Sequence, residues 1–174
     1  MFDKFGAAQA KKKAIVNNSG IQKLIASAIE TMPAVEPVTH EILPKKVPVN
    51  QIRVDKHLSV YTVNGKPVLV ELGTKQVFPH LKVLFQYRGL FPQIFVDEGA
   101  VKALLRGADL MAPGIKGMNG EFSEGSIVEI ILLGQEVPFA IGTATVDSSA
   151  VNGLKGPAIT ILHKLNDGLY TYEA

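Results

Sequence analysis

The sequence predicts an α+β protein of two small domains: a helix with a β-meander in residues 1–92, then a small barrel-like domain in residues 93–174. Three observations carry this. A helical apolar pattern over residues 19–31 precedes alternating, strand-like segments broken by an Asn-Gly turn. From residue 94 the pattern restarts as one helix followed by four or five short strands with Gly-rich turns. The charge changes sign at the same place. Residues 1–92 carry 13 Lys and Arg against 6 Asp and Glu, a net of +7, while residues 93–174 carry 5 against 10, a net of −5. Such a split points to two units with different partners.

The elements follow in order. Residues 1–18 are polar or basic and weakly patterned. Ser19 is placed to cap a helix running to about Thr31, because Ile21, Leu24, Ile25, Ala28 and Ile29 fall on one helical face. Pro33 stops it. Residues 34–50 read as a proline-rich loop with a short extended piece near residues 39–43. Ile52, Val54, Leu58 and Val60 are strand-like, and Asn64-Gly65 is a hairpin signal, since a type I′ turn needs two positive φ angles. Pro79 is expected at the first position of a helix bearing Leu81, Leu84 and Phe85 on one face.

In the second half, residues 94–96 read as a strand. Asp97 is expected to cap a helix over residues 98–106, with Gly107 ending it. A short strand over residues 108–112 leads to Pro113-Gly114 and a Gly-rich loop over residues 114–120. Strands are expected at residues 127–133, 138–146, 157–165 and 170–172.

Several chemistries find no support. With no cysteine there is no disulfide, Cys-based zinc site, iron–sulfur cluster or thiol nucleophile. His40, His57, His80 and His163 are too scattered for metal-ligand spacing, so no metal or cofactor is expected. Nucleophile-elbow, phosphate-loop and dinucleotide motifs are absent. Asp97 with Glu98, and Glu121 with Glu124, read as a helix cap and a solvated loop rather than an acid–base pair, so no catalysis is expected. The first residues do not form a signal peptide, and the longest apolar runs are short, so a cytoplasmic protein without a membrane span is expected.

The run Val96-Asp97-Glu98-Gly99 through Arg106-Gly107-Ala108 to Met111-Ala112-Pro113-Gly114-Ile115 resembles the opening signature of the PUA domain. Ile141-Gly142-Thr143-Ala144 resembles a later strand of that family. The resemblance implies that the second half is a PUA pseudo-barrel, which binds RNA near this helix and the Gly-containing loop. Lys102 and Arg106, four apart on the helix, Gly107, Pro113, Gly114 and Lys116 are then the RNA-binding candidates of the second half.

Five further segments extend the resemblance over nearly the whole chain. They are Met1-Phe2-Asp3-Lys4-Phe5, Pro44-Lys45-Lys46-Val47-Pro48-Val49, Thr62-Val63-Asn64-Gly65, Phe78-Pro79 with Leu81 and Leu84, and Leu165-Asn166-Asp167-Gly168-Leu169. Together they resemble the malignant T-cell-amplified sequence family of stand-alone PUA proteins. The resemblance implies a partner of the density-regulated-protein type, carrying an SUI1 domain. It also implies binding to small-subunit rRNA and tRNA, and a role in post-termination recycling and reinitiation.

The −5 charge of the PUA half departs from what autonomous RNA binding needs. It shifts the electrostatics toward Lys11, Lys12, Lys13, Lys45, Lys46, Arg53 and Lys56 of the first half. It also leaves open a protein-interaction scaffold that does not touch RNA. An RNA-modifying enzyme is disfavoured, because residues 1–92 are too few for a catalytic domain.

Overall fold

In a computed structural model, the protein is described over residues 2, 12–54, 57–73 and 76–172. Its first sheet follows chain order. β1 (Lys12–Ile15) leads to α1 (Asn18–Thr31), and α2 (Thr39–Ile42) precedes β2 (Val49–Arg53), β3 (Leu58–Val63), β4 (Lys66–Leu72) and β5 (Gln76–Pro79). The sheet order is β1-β2-β3-β4-β5, antiparallel throughout. The β3–β4 hairpin turns at Asn64 (φ 51°) and Gly65 (φ 78°), the positive pair that its sequence predicts.

Several local expectations are corrected. The cap of α1 is Asn17, not Ser19: its side-chain oxygen accepts from Gly20 N–H at 2.8 Å, and Ser19 Oγ donates to the same oxygen. The piece near residues 39–43 is helical, not extended, because a 3-10 turn at Pro33–Val38 feeds directly into α2. β1 was hidden in a basic stretch without alternation, and it exists because it pairs with β2 from Lys12↔Arg53 to Ile15↔Asn50. Pro79 ends β5 rather than opening a helix. His80 caps α3 (Leu81–Gln86) through Nδ1, which accepts from Lys82 N–H at 3.1 Å.

The second sheet does not follow chain order. It contains β6 (Gln93–Val96), β7 (Leu110–Met111), β8 (Ile115–Asn119), β9 (Ile127–Leu132), β10 (Pro138–Ala144) and β11 (Pro157–Lys164), ordered β7-β11-β10-β9-β6-β8. β6 runs parallel to β9, and the other pairings are antiparallel. α4 (Glu98–Leu105) crosses between β6 and β7, capped by Asp97 as its sequence predicts. Gly107 follows it at φ 101°.

Two expectations fail here, one through long-range pairing and one through a local cap. The Gly-rich loop at residues 114–120 contains strand β8, whose partner β6 lies some 25 residues earlier. Residues 170–172 form no strand: α5 (Gly168–Thr171) takes their place because Asp167 accepts from Tyr170 N–H and caps a helical turn. At Gly142 the sheet leaves no room for a side chain. A Cβ there would meet Ile159 and come within 2.9 Å of the Thr160 carbonyl oxygen.

The two sheets share apolar packing. The core around Leu24, Ile52, Val60, Phe78 and Leu84 also takes in Ile127, Ile141, Leu162 and Leu169 of the second half. A second core, including Ile94, Leu104, Val128 and Ile159, fills the barrel. The connector is held chiefly by one residue. Glu129, fully buried on β9, accepts from Phe91 N–H at 3.2 Å and Gln93 Nε2 at 3.4 Å, while its own N–H donates to the Pro92 carbonyl. Burial raises the Glu129 carboxyl above its usual range, and these donors only partly offset that. Arg88 with Glu136, at 3.1 Å, and Gln76 with Thr143, at 3.0 Å, tie the halves further.

Candidate nucleic-acid interface

The candidate residues of the second half meet at α4 and the surface beside it. Asp97 Oδ1 accepts from Ala100 N–H at 2.9 Å, fixing the start of α4, and Asp97 Oδ2 lies 3.3 Å from Lys116 Nζ. The Ala100 N–H and then Lys116 hold the Asp97 carboxyl below its usual range. Lys116 is therefore tethered, though still exposed. Lys102 and Arg106 are exposed on α4. Gly114 lets the following segment close onto the helix: a Cβ there would lie 3.2 Å from Leu110 and 3.8 Å from Ala100.

Beyond Gly114 a groove of about 460 Å³ opens. One wall is Pro113, Lys116 and Met118, and the other is Asn152, Gly153 and Lys155. The second wall was missed from the sequence. Asn152-Gly153 reads there only as a turn, and Lys155 as a lone cation 39 residues from Lys116. Tertiary packing alone brings it to the groove.

Charge is unevenly placed on this half. Its five Lys and Arg are Lys102, Arg106, Lys116, Lys155 and Lys164. Lys164 is buried at 3% exposure, and the other four are exposed, all on α4 or the adjoining groove. Glu121 and Asp147 line a separate hollow. An acidic half thus gathers its exposed cations on or beside α4, with Asp97 and Glu98 exposed at the start of that helix.

In the first half the candidates do not form one patch. Lys45 and Lys46 are exposed in the turn before β2, whereas Arg53 is exposed at its far end, about 14 Å along the strand. Lys13 is exposed on β1, and the backbone of Lys12 is in register with Arg53. Lys11 and Lys56 lie outside the described residues.

The histidines are less scattered than they look in the sequence. His80 and His163 are fully buried at the junction of the halves, their ring centroids 4.6 Å apart. Because His80 Nδ1 accepts from Lys82 N–H, its Nε2 carries the proton and donates to the Leu169 carbonyl at 3.2 Å. His163 Nδ1 donates to Asp167 Oδ2 at 2.8 Å, and Phe2 packs edge-on against the His163 ring. Burial, then the neighbouring His163, pushes His80 down to about 3. Burial alone would raise Asp167, but the His163 contact and the N–H groups of Lys164 and Tyr170 hold it below its usual range. Full burial makes this cluster a junction fastener rather than a substrate site. Among the described residues, no group of three or more His, Asp or Glu is placed to hold a metal ion. No helix among them is long and apolar enough to cross a membrane.

Comparison with known proteins matches this architecture. Residues 5–87 match a Pre-PUA-like domain and residues 92–165 a PUA domain. Malignant T-cell-amplified sequence 2 of Mus musculus is 32% identical over 98% of this chain and 97% of its own. Translation machinery-associated protein 20 of Schizosaccharomyces pombe is 31% identical over 98% and 97%. Among solved structures, a hypothetical protein of Pyrococcus horikoshii OT3 superposes with TM-score 0.73 at 26% identity, covering 91% of this chain and 98% of that one. A PUA-domain protein of Aeropyrum pernix K1 gives 0.72 at 27%, covering 91% and 89%. The chain is an α+β protein with a pre-PUA domain ahead of a PUA pseudo-barrel, and it belongs to the malignant T-cell-amplified sequence family.

Proposed function

We propose that this protein is a non-catalytic, cytoplasmic RNA-binding translation factor. With a partner of the density-regulated-protein type, it binds the small ribosomal subunit and promotes post-termination tRNA release, recycling and reinitiation. Residues 1–92 act as the adaptor and residues 93–174 as the RNA-binding unit.

One observation carries the reading beyond family membership. The four exposed cations of an acidic domain are gathered on α4 and its groove. Asp97 and Glu98 are exposed at the start of that helix, so the gathering of the cations, rather than an absence of carboxylates, is what suits phosphate recognition. Lys102, Arg106 and Lys116 meet phosphates in this reading. Gly107, Pro113 and Gly114 shape the backbone beside them. Lys11, Lys12, Lys13, Lys45, Lys46, Arg53 and Lys56 add a diffuse field. The relative named for the translation machinery supports the setting.

The test is co-sedimentation with small ribosomal subunits, with and without the partner, at low and high salt. Salt-sensitive, partner-enhanced binding is expected, weakened by Lys45→Glu with Lys46→Glu in a folded protein. The −5 charge of the second half favours one competing reading, a PUA-fold protein-interaction scaffold without RNA contact. That reading requires binding that ignores salt and survives loss of Lys102 and Arg106.

A further inference from the structure

Away from the α4 cations, α1 and the first sheet enclose a groove of about 500 Å³. A sheet surface beneath a helix is ordinarily apolar. Here the strands β2, β3 and β4 present a polar row instead. Gln51 Nε2 donates to Ser59 Oγ at 3.1 Å and to Tyr61 Oη at 3.2 Å, and the Tyr61 hydroxyl donates to Glu71 Oε2 at 2.7 Å. Burial, followed by Glu71, pushes the Tyr61 hydroxyl up, which keeps it a donor to Glu71.

The helix side adds Leu24, Ser27 and, at the rim, Lys23 and Glu30. Ser27 Oγ is shielded from solvent and has no hydrogen-bond partner. The groove follows α1 from Gly20 to Glu30, about 15 Å. That length matches four or five residues of extended chain. Val16 closes one end, and next to it Ile15 is 74% exposed on the edge strand β1.

We infer that this groove docks a basic, extended segment of a protein partner, seating an arginine or lysine against Glu71 and Glu30. The stem of such a side chain lies along Val16 and Leu24 while its head meets the carboxylates. Charge complementarity decides the occupant. In a half of net charge +7, the groove sets two carboxylates against one lysine. Phosphates are repelled where a cation is drawn in. Ile15 provides an apolar contact at the mouth. The site is separate from the α4 cations and stands whether or not they bind RNA.

The test uses the full chain and a fluorescein-labelled hexapeptide of alternating valine and arginine, with anisotropy for affinity and amide NMR shifts for location. The arginine peptide is expected to shift Ser27, Gln51, Tyr61 and Glu71 amides. Glu71→Gln with Glu30→Gln retains an acceptor for Tyr61, so the fold is kept, and weakens binding roughly tenfold. Lys23→Gln acts in the opposite sense and tightens binding about threefold. Equal binding of a valine–glutamate hexapeptide, or affinity indifferent to both sets of variants, overturns the proposal. So does an RNA oligonucleotide shifting the same amides more strongly. Groove shifts that depend on protein concentration without peptide would assign the groove to a second copy of the chain instead.

Discussion

The first sheet is a meander with consecutive strands paired in chain order, and the second orders its strands β7-β11-β10-β9-β6-β8 with a parallel β6–β9 pair. Their electrostatics differ as well. The first half is basic overall, with Lys45 and Lys46 at one end of β2 and Arg53 at the other. The second is acidic overall, yet its exposed cations lie on α4 or in the adjoining groove. Net charge is a sum over a domain, and a polyanion reads a local field. In the RNA-binding function proposed above, the acidic half reads phosphate at short range and the basic half supplies attraction at a distance.

The largest expected effect sharpens the structural side of this contrast. Gly142→Ala pushes a Cβ onto the Thr160 backbone in the crowded second sheet and is expected to cost about 3 kcal/mol, read as a lower urea midpoint. A midpoint equal to that of the parent would mean the second sheet adjusts as freely as the first.

Next comes the junction between the halves. His80 is held neutral in the fold at about 3, below the unfolded value near 6.5. The unfolded chain therefore binds the extra proton between those values. The contribution is complete above about pH 6.5 and falls as pH drops, by about 2 kcal/mol at pH 5. Protonation would also turn Nδ1 into a donor facing the Lys82 N–H. Chemical denaturation from pH 7.5 to 5 checks this, and His80→Gln should flatten that slope. A slope unchanged by the substitution would assign the acid sensitivity to other groups.

Third, Lys102→Glu with Arg106→Glu should lower RNA affinity roughly tenfold and cut the salt slope by about 2. Lys13→Glu with Arg53→Glu should have a smaller effect on affinity and slope. If the first-half pair dominates, the ranking of the two halves is reversed.

The smallest effect returns to the first sheet. Gly65→Ala at φ 78° should cost about 1 kcal/mol, because the turn is strained but nothing is crowded. A loss as large as that at Gly142 would erase the contrast between a local hairpin and a long-range sheet.

Much of what was readable in the sequence tracks the range of the cause, although the local Asn17 cap of α1 and Asp167 cap of α5 were missed. The Asn64-Gly65 hairpin, the Asp97 cap and Gly107 after α4 depend on residues within a few positions, and each stands where its pattern places it. β1 and β8 depend on partners far along the chain, and neither carries an alternation of its own. The same holds for sites. Lys102 and Arg106 share a face through helical spacing alone, whereas Lys155 reaches the groove only because the segment before β11 is held beside Ala112, whose N–H donates to the Gly156 carbonyl.

By itself, then, the sequence determined the α+β class, the change of character near residue 92, the Asn64-Gly65 turn, the Asp97 cap, and the family. Only the tertiary structure decided the strand order of the second sheet, the pairing of His80 with His163 and the carboxylate-lined groove under α1. The physical reason is the reach of the forces. Backbone torsion and capping act within a turn of chain, while burial and charge act through space between residues that one-dimensional spacing does not relate.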